Sequence, residues 1–170
     1  MGFSKPEIPE KLSLEWIENH SHIRLVGANR RWIVQAWRNV IFLKISEVWT
    51  PADTDDYVNR LSTLPGILSK VWDTIFLVFD LTCMKFRAED AFRYLHANWL
   101  KFLDRQEMKV CIVDESNIRR IALQSLYTLV GKINKIRIFR DCDEAFEWVR
   151  EAIISSSPVT SKRGGDHAKM

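Results

Sequence analysis

Asp80, Asp114 and Glu115 stand at or just after the ends of two short apolar runs, Ile75 to Phe79 and Lys109 to Val113. Acids gathered at one edge of a sheet can hold Mg²⁺ and turn one aspartate into a phosphoacceptor. That chemistry requires Asp80 and Asp114 close enough to share the ion. Cys83 lies in the connection after Asp80, and no adjacent His or CxxC pattern is present to lower its pKa. His20 and His22 are two residues apart, and His96 has no His or Cys at ligand spacing, so no metal set is expected. The sequence has no glycine-rich phosphate loop, GxSxG elbow or HExxH motif. The sequence shows no catalytic motif, cofactor motif or metal set.

The elements that must position these residues follow from periodicity. Ile75-Phe76-Leu77-Val78-Phe79 has no polar alternation, which suits a strand covered on both faces and ending at Asp80. Arg31–Trp37 and Val40–Trp49 form an expected hairpin about Arg38-Asn39, where Asn supplies the tolerance for positive φ. In its second strand Ile41, Leu43 and Ile45 alternate with Phe42, Lys44 and Ser46, which predicts one better-buried face. Thr50-Pro51 opens a helix with a hydroxyl cap, and Asp53, Asp55 and Asp56 suit its first turns. That helix is expected to stop before Pro65-Gly66. A helix over 88–105 carries Phe92, Leu95, Trp99, Phe102 and Leu103 on one stripe. Ser116 caps the next helix, with Ile118, Ile121, Ala122, Leu126, Leu129 and Val130 as its expected buried side and Gly131 as its stop. After a strand over Ile136–Phe139, Asp141 and Glu144 form a capping box for a last helix burying Ala145, Phe146, Val149 and Ile153.

The order is β-β-α-β-α-β-α-β-α. The expected fold class is α/β: a single domain with a mixed, mainly parallel sheet, an N-terminal β-hairpin and about four helices. Residues 1–23 are an arm in which Leu12, Leu14, Trp16 and Ile17 suit either a short helix or an extended segment. Residues 24–154 are the domain, and residues 155–170 are expected to be a disordered tail. Hydrophobic residues make up 46% and charged ones 28%, which argues against intrinsic disorder. The net charge of +3 is small and the charges are mixed, so no nucleic-acid partner is expected. Arg30-Arg31, Arg119-Arg120 and Lys132-Lys135-Arg137-Arg140 read as ordinary solvated surface, with contact to acidic partners or anionic lipid as the alternative. The three separated cysteines read as reduced thiols, which implies a cytoplasmic protein. The N-terminus lacks an apolar signal core, and no run reaches the length of a transmembrane helix.

Phe79-Asp80-Leu81-Thr82-Cys83-Met84-Lys85-Phe86 resembles the STAS-domain stretch in which a strand ends in Asp-Leu-Ser and runs through a small residue to a phenylalanine before a helix. Asn117-Ile118-Arg119-Arg120-Ile121-Ala122-Leu123 is similar to the start of the family's next helix. Ile138-Phe139-Arg140-Asp141 with Asp143-Glu144-Ala145 is similar to its last strand and helix. The resemblance covers roughly Arg24 to Ile154 and is closest to the SpoIIAA-like branch. It implies a bacterial, non-enzymatic regulatory module that binds a protein partner, a second copy of the chain included. Thr82, Cys83, Lys85, Arg87, Glu89 and Asp90 are the implied partner-binding residues. In anti-sigma-factor antagonists the helix start here carries a phosphorylatable serine. This chain has Glu89 and Asp90 instead, which removes the serine switch, and Thr82 is the nearest hydroxyl. The branch also resembles CRAL-TRIO lipid-binding folds, and the alternative is a module for a small apolar ligand or lipid. A receiver-like phosphoacceptor fits less well, because the chain begins with a hairpin and Phe139 is followed by Arg140-Asp141 rather than Lys. Clustering of any of the many tryptophans with Tyr57 or Tyr94 on the surface would mark an interface.

Overall fold

The structure, a computed structural model, describes residues 7–48, 50–61, 63–85, 97, 104–105 and 107–156. Among these residues one six-stranded sheet dominates. It is built from β1 (Ile23–Val26), β2 (Trp32–Trp37), β3 (Val40–Ile45), β5 (Ile75–Asp80), β7 (Met108–Val113) and β8 (Ile136–Phe139), side by side in that order. β1, β2 and β3 are antiparallel neighbours, and β3, β5, β7 and β8 run parallel. Two short strands, β4 (Glu47–Val48) and β6 (Met84–Lys85), pair in parallel as a separate ribbon. The architecture is α/β, with the expected mixed, mainly parallel sheet and antiparallel hairpin.

Every residue of β5 is buried, because both faces of the sheet are covered. Ile75, Leu77 and Phe79 face a core shared with α2 (Pro51–Leu61), α3 (Leu64–Leu68) and α4 (Asn117–Leu129). Phe76 and Val78 face the other core, closed by α1 (Leu14–His20) and α5 (Cys142–Ser156). This placement accounts for the unbroken apolar run. It also corrects the reading of β3: Val40 and Phe42 are as buried as Ile41, Leu43 and Ile45, and only Lys44 reaches partly to solvent.

The hairpin forms in the register Trp37↔Val40, but Arg38, at φ 53°, takes the left-handed position assigned to Asn39. The Arg38 guanidinium lies over the rings of Trp37 (5.6 Å) and Trp72 (5.1 Å). Asn39 instead donates its amide to the Thr74 carbonyl at 2.8 Å. The arm resolves as a helix: Ser13 accepts the Trp16 N–H as an N-cap, and Ile17 enters the α5-side core. β1 is an additional strand, running Ile23↔Ala36 to Val26↔Ile33.

α2 opens on Thr50 as expected, through a reciprocal box. The Thr50 N–H and hydroxyl donate to Asp53 (2.9 and 2.6 Å), and the Asp53 N–H returns to the hydroxyl (3.3 Å). α2 ends at Leu61, before Pro65-Gly66 as expected, and Pro65 stands in the first turn of a further short helix, α3, where no N–H is needed. The expected 88–105 helix lies outside the described residues apart from 97 and 104–105, as does the chain after 156. α5 buries Ala145, Phe146, Val149 and Ile153 as expected and runs on to Ser156.

α4 departs from expectation. Its buried residues are Leu123 and Tyr127. Ile118, Ile121, Ala122, Leu129 and Val130 are exposed, and only Leu126 of the expected set is partly covered.

Candidate functional site

The carboxyl edge of the sheet is built from two similar turns. At the end of β5, Asp80 Oδ1 accepts the Thr82 N–H (3.0 Å) and hydroxyl (2.6 Å). After β7, Asp114 Oδ1 accepts the Ser116 N–H at 2.9 Å. A carboxylate that bonds the backbone two residues ahead shapes a turn. Asp114 is fully buried and is also gripped by Arg119, whose Nε and Nη2 each reach a carboxylate oxygen at 2.7 Å. Arg120 Nη1 reaches the Asp114 carbonyl at 3.0 Å. The pair Arg119-Arg120, expected as solvated surface, is therefore bound to the end of β7. Both acids of the phosphoacceptor reading make turn bonds, Asp114 adds the ion pair to Arg119, and among the described residues no three His, Cys, Asp or Glu side chains come together as a cation site.

Of the implied partner-binding residues, Thr82 is half-buried against Asp80, and Cys83 and Lys85 are exposed. Arg87, Glu89 and Asp90 lie outside the described residues. Cys142, the first residue of α5, lies close enough to Asp80 to feel its charge. Burial first, and Asp80 second, push the Cys142 thiol up to about 12, so it stays protonated at neutral pH. Cys111, inside β7, is likewise pushed up by burial. His20 stacks on Trp16 with ring centroids 3.7 Å apart and takes up the Trp16 carbonyl through Nδ1. Tyr57 is buried between Trp32 and Phe79, so it belongs to the core rather than to an aromatic surface patch. Trp37 is buried and Trp16 half-buried, while Trp49, Tyr94 and Trp99 lie outside the described residues.

The largest apolar exposure on an element of the main layers belongs to α4. Ile118 is 81% exposed, Ile121 66%, Leu129 85% and Val130 39%. At 3.6 residues per turn, Ile118, Ile121, Ala122, Ser125 and Leu129 share an arc of about 100°, directly opposite Leu123 and Tyr127. The helix is thus apolar on two opposite sides. The Asp114 clamp decides which side meets the sheet. Arg119 and Arg120 must turn toward the end of β7, and Leu123 and Tyr127 follow on their face one and two turns later. The Ser116 cap (3.4 Å to the Arg119 N–H) fixes where the first turn starts. The C-terminal end is equally defined: Gly131, at φ 68°, sends the chain away while the Lys132 N–H bonds the Tyr127 carbonyl.

Grooves on the described residues include the following. One, of about 400 Å³, is lined by Ser69, Trp72, Asp73 and Glu107. Another, of about 410 Å³, lies beside α4 and β8 and is lined by Gln124, Ile133, Asn134, Ile136, Arg137 and Ile138. Both are open and lined by polar as well as apolar groups. Among the described residues no helix is long and apolar enough to cross a membrane.

The sequence matches no protein-family model and no curated protein at a significant level.

Proposed function

We propose that this chain is a non-enzymatic regulatory module of the STAS type, SpoIIAA-like in character, that works by binding another protein. The observation that carries the reading is the outward apolar face of α4. A helix already anchored by Leu123 and Tyr127 gains nothing in its own core from Ile118, Ile121 and Leu129 on the opposite side. Exposed apolar groups gathered on one rigid element mark an interaction site more often than scattered ones do. The carboxyl edge supports the same reading from the other direction, since Asp80 is used by the Thr82 turn and Asp114 by the Ser116 turn and the Arg119 pair. The resemblance adds Thr82, Cys83, Lys85, Arg87, Glu89 and Asp90 as a second contact region, with fixed charge where a switchable serine stands in the family. Neither of the two grooves described above is an enclosed apolar cavity of the kind a lipid carrier needs.

The test is affinity capture from the native host with three baits: wild type, Leu129→Glu and the double variant Glu89→Lys/Asp90→Lys. Loss of a partner with Leu129→Glu supports the α4 face. Loss with the double variant places the contact at the family's switch position. The same partners at the same yield with all three overturn the proposal.

A further inference from the structure

We infer that the outer edge of β8 takes an extended acidic segment of a partner protein, which adds a strand to the sheet there. The inference rests on the reading of the chain as an interaction module and gives that module a second kind of contact, made through the main chain.

β8 is the last strand of the sheet, and among the described residues no strand pairs with its far side. One bond shows which of its main-chain groups face outward: the Asp114 N–H donates to the Phe139 carbonyl at 3.1 Å. In a parallel ladder a residue turns both its N–H and its C=O toward one neighbour, and the next residue turns both away. Phe139 and Arg137 therefore face β7, and Ile136 and Ile138 face out. The Ile136 N–H is used by the Ile133 carbonyl, at the end of the short 3₁₀ turn Ile133–Lys135. The Ile136 carbonyl and both main-chain groups of Ile138 are left along the edge. The groove of about 410 Å³ follows the same line, since Ile136, Arg137 and Ile138 all line it. Successive side chains of a strand point to opposite faces, so a groove touched by all three runs along the edge of β8 rather than over one face. Ile133 packs on the same side as Ile136 and Ile138, and with Gln124 of α4 it makes the apolar wall.

Charge defines the occupant. No acidic residue occurs from Gly131 to Arg140. Lys132 is paired with Asp104, and Lys135 donates to the Arg105 carbonyl. Arg137, which lines the groove, is exposed and lies over the Trp148 ring at 5.9 Å, and among the described residues it has no ion-pair partner. A strand laid along this edge would set one of its faces beside Ile136 and Ile138 and the other beside Arg137. The matching segment alternates apolar and acidic residues with period two, its main chain supplying affinity and its alternation supplying selectivity. A second copy of β8 does not fit, because it would bring another arginine-bearing edge with no acid to offset it. With four residues in β8 the pairing is short and the affinity modest.

The probe is a fluorescein-labelled octapeptide of alternating Val and Glu, titrated against the full chain and followed by anisotropy, with folding of each variant checked by circular dichroism. Wild type should bind it saturably below about 1 mM. The alternating Val/Lys peptide, and the Val/Glu peptide N-methylated at every peptide bond, should each bind about tenfold more weakly or worse. Arg137→Glu should weaken binding to a similar extent, while Arg24→Glu, on the opposite edge of the sheet in β1, should bind as wild type does. Hydrogen exchange of the Ile138 amide should slow when the peptide binds. Absence of saturable binding overturns the inference, and so does equal binding by the N-methylated peptide or by Arg137→Glu. An Ile138 amide whose exchange is unchanged by bound peptide overturns it too. If the peptide does not bind while Leu129→Glu still loses a captured partner, the module reading stands and the β8 site falls.

Discussion

Individual residues carry more of this fold than their types announce. Gly27 has the Trp32 indole directly on its α-carbon: an added Cβ would lie 2.5 Å from Nε1 and 2.7 Å from Cδ1. Trp32 is fully buried and packs edge-on against Tyr57, so it cannot swing away. Gly27→Ala should cost about 1–3 kcal/mol by overpacking, read as a lowered midpoint in chemical denaturation. Asp53 is a second case. Burial opposes its ionisation, but bonds from Thr50, Arg31 and Asn29 outweigh burial and hold its carboxyl below the usual value of 3.8. A depressed folded-state pKa means that the folded state releases the proton more readily than the unfolded chain. The stabilisation is then complete above the ordinary value and disappears as pH falls through the lower folded one. Denaturation followed from pH 7 into this acid range should show stability falling, and Asp53→Asn should flatten part of that fall. The sequence placed Asp53 at a helix start but not in a pair with Arg31, because the two are 22 residues apart and only the β1–β2 turn brings them together. Asp80 and Asp114 were legible as strand-end acids. Their use as turn formers depends on where neighbouring amides and Arg119 point, which residue types alone do not state.

Elements were legible where one pattern had one interpretation. β5 had to be covered on both faces, α5 had a single apolar stripe, and the caps at Thr50, Ser116 and Asp141 stand where expected. At the last of these the Glu144 N–H bonds Asp141 at 2.9 Å, while the Glu144 carboxylate reaches the Arg140 N–H rather than that of Asp141. Elements were misread where a pattern had two interpretations. Pro65-Gly66 marks the limit of α2, which ends at Leu61, but Pro65 also stands in the first turn of α3, a helix that reading it only as a breaker leaves out. β1 is four residues long and, as an edge strand, is less buried than the central strands, so its alternation was too brief to stand out. α4 is the instructive case. Periodicity finds apolar arcs but does not say which of two opposite arcs meets the sheet. The clamp from Arg119 to Asp114 makes that choice. Arg119→Ala should cost about 2–3 kcal/mol, below the full penalty for breaking a buried pair because Arg119 is itself a third exposed. Hydrogen exchange should quicken in the first turns of α4 and leave α5 unchanged. Equal quickening in both helices would mean that the clamp acts on global stability alone.

At the scale of the whole molecule, the sheet separates two cores that share no buried residue, one under α2, α3 and α4 and one under α1 and α5. Both outer strands of the sheet, β1 and β8, are only four residues long, and short edges limit pairing with other chains through the backbone. The proposed contact through α4 depends on the rotation of that helix, with Leu123 inward and Leu129 outward. Equilibrium unfolding of Leu123→Glu and Leu129→Glu in dilute solution tests it directly. Leu129→Glu should leave stability within about 0.5 kcal/mol of wild type, while Leu123→Glu, which buries a charge, should lose about 3 kcal/mol or more. The reverse order, with Leu129→Glu the damaging substitution, would mean that α4 packs on its other side and that its apolar face is core rather than interface.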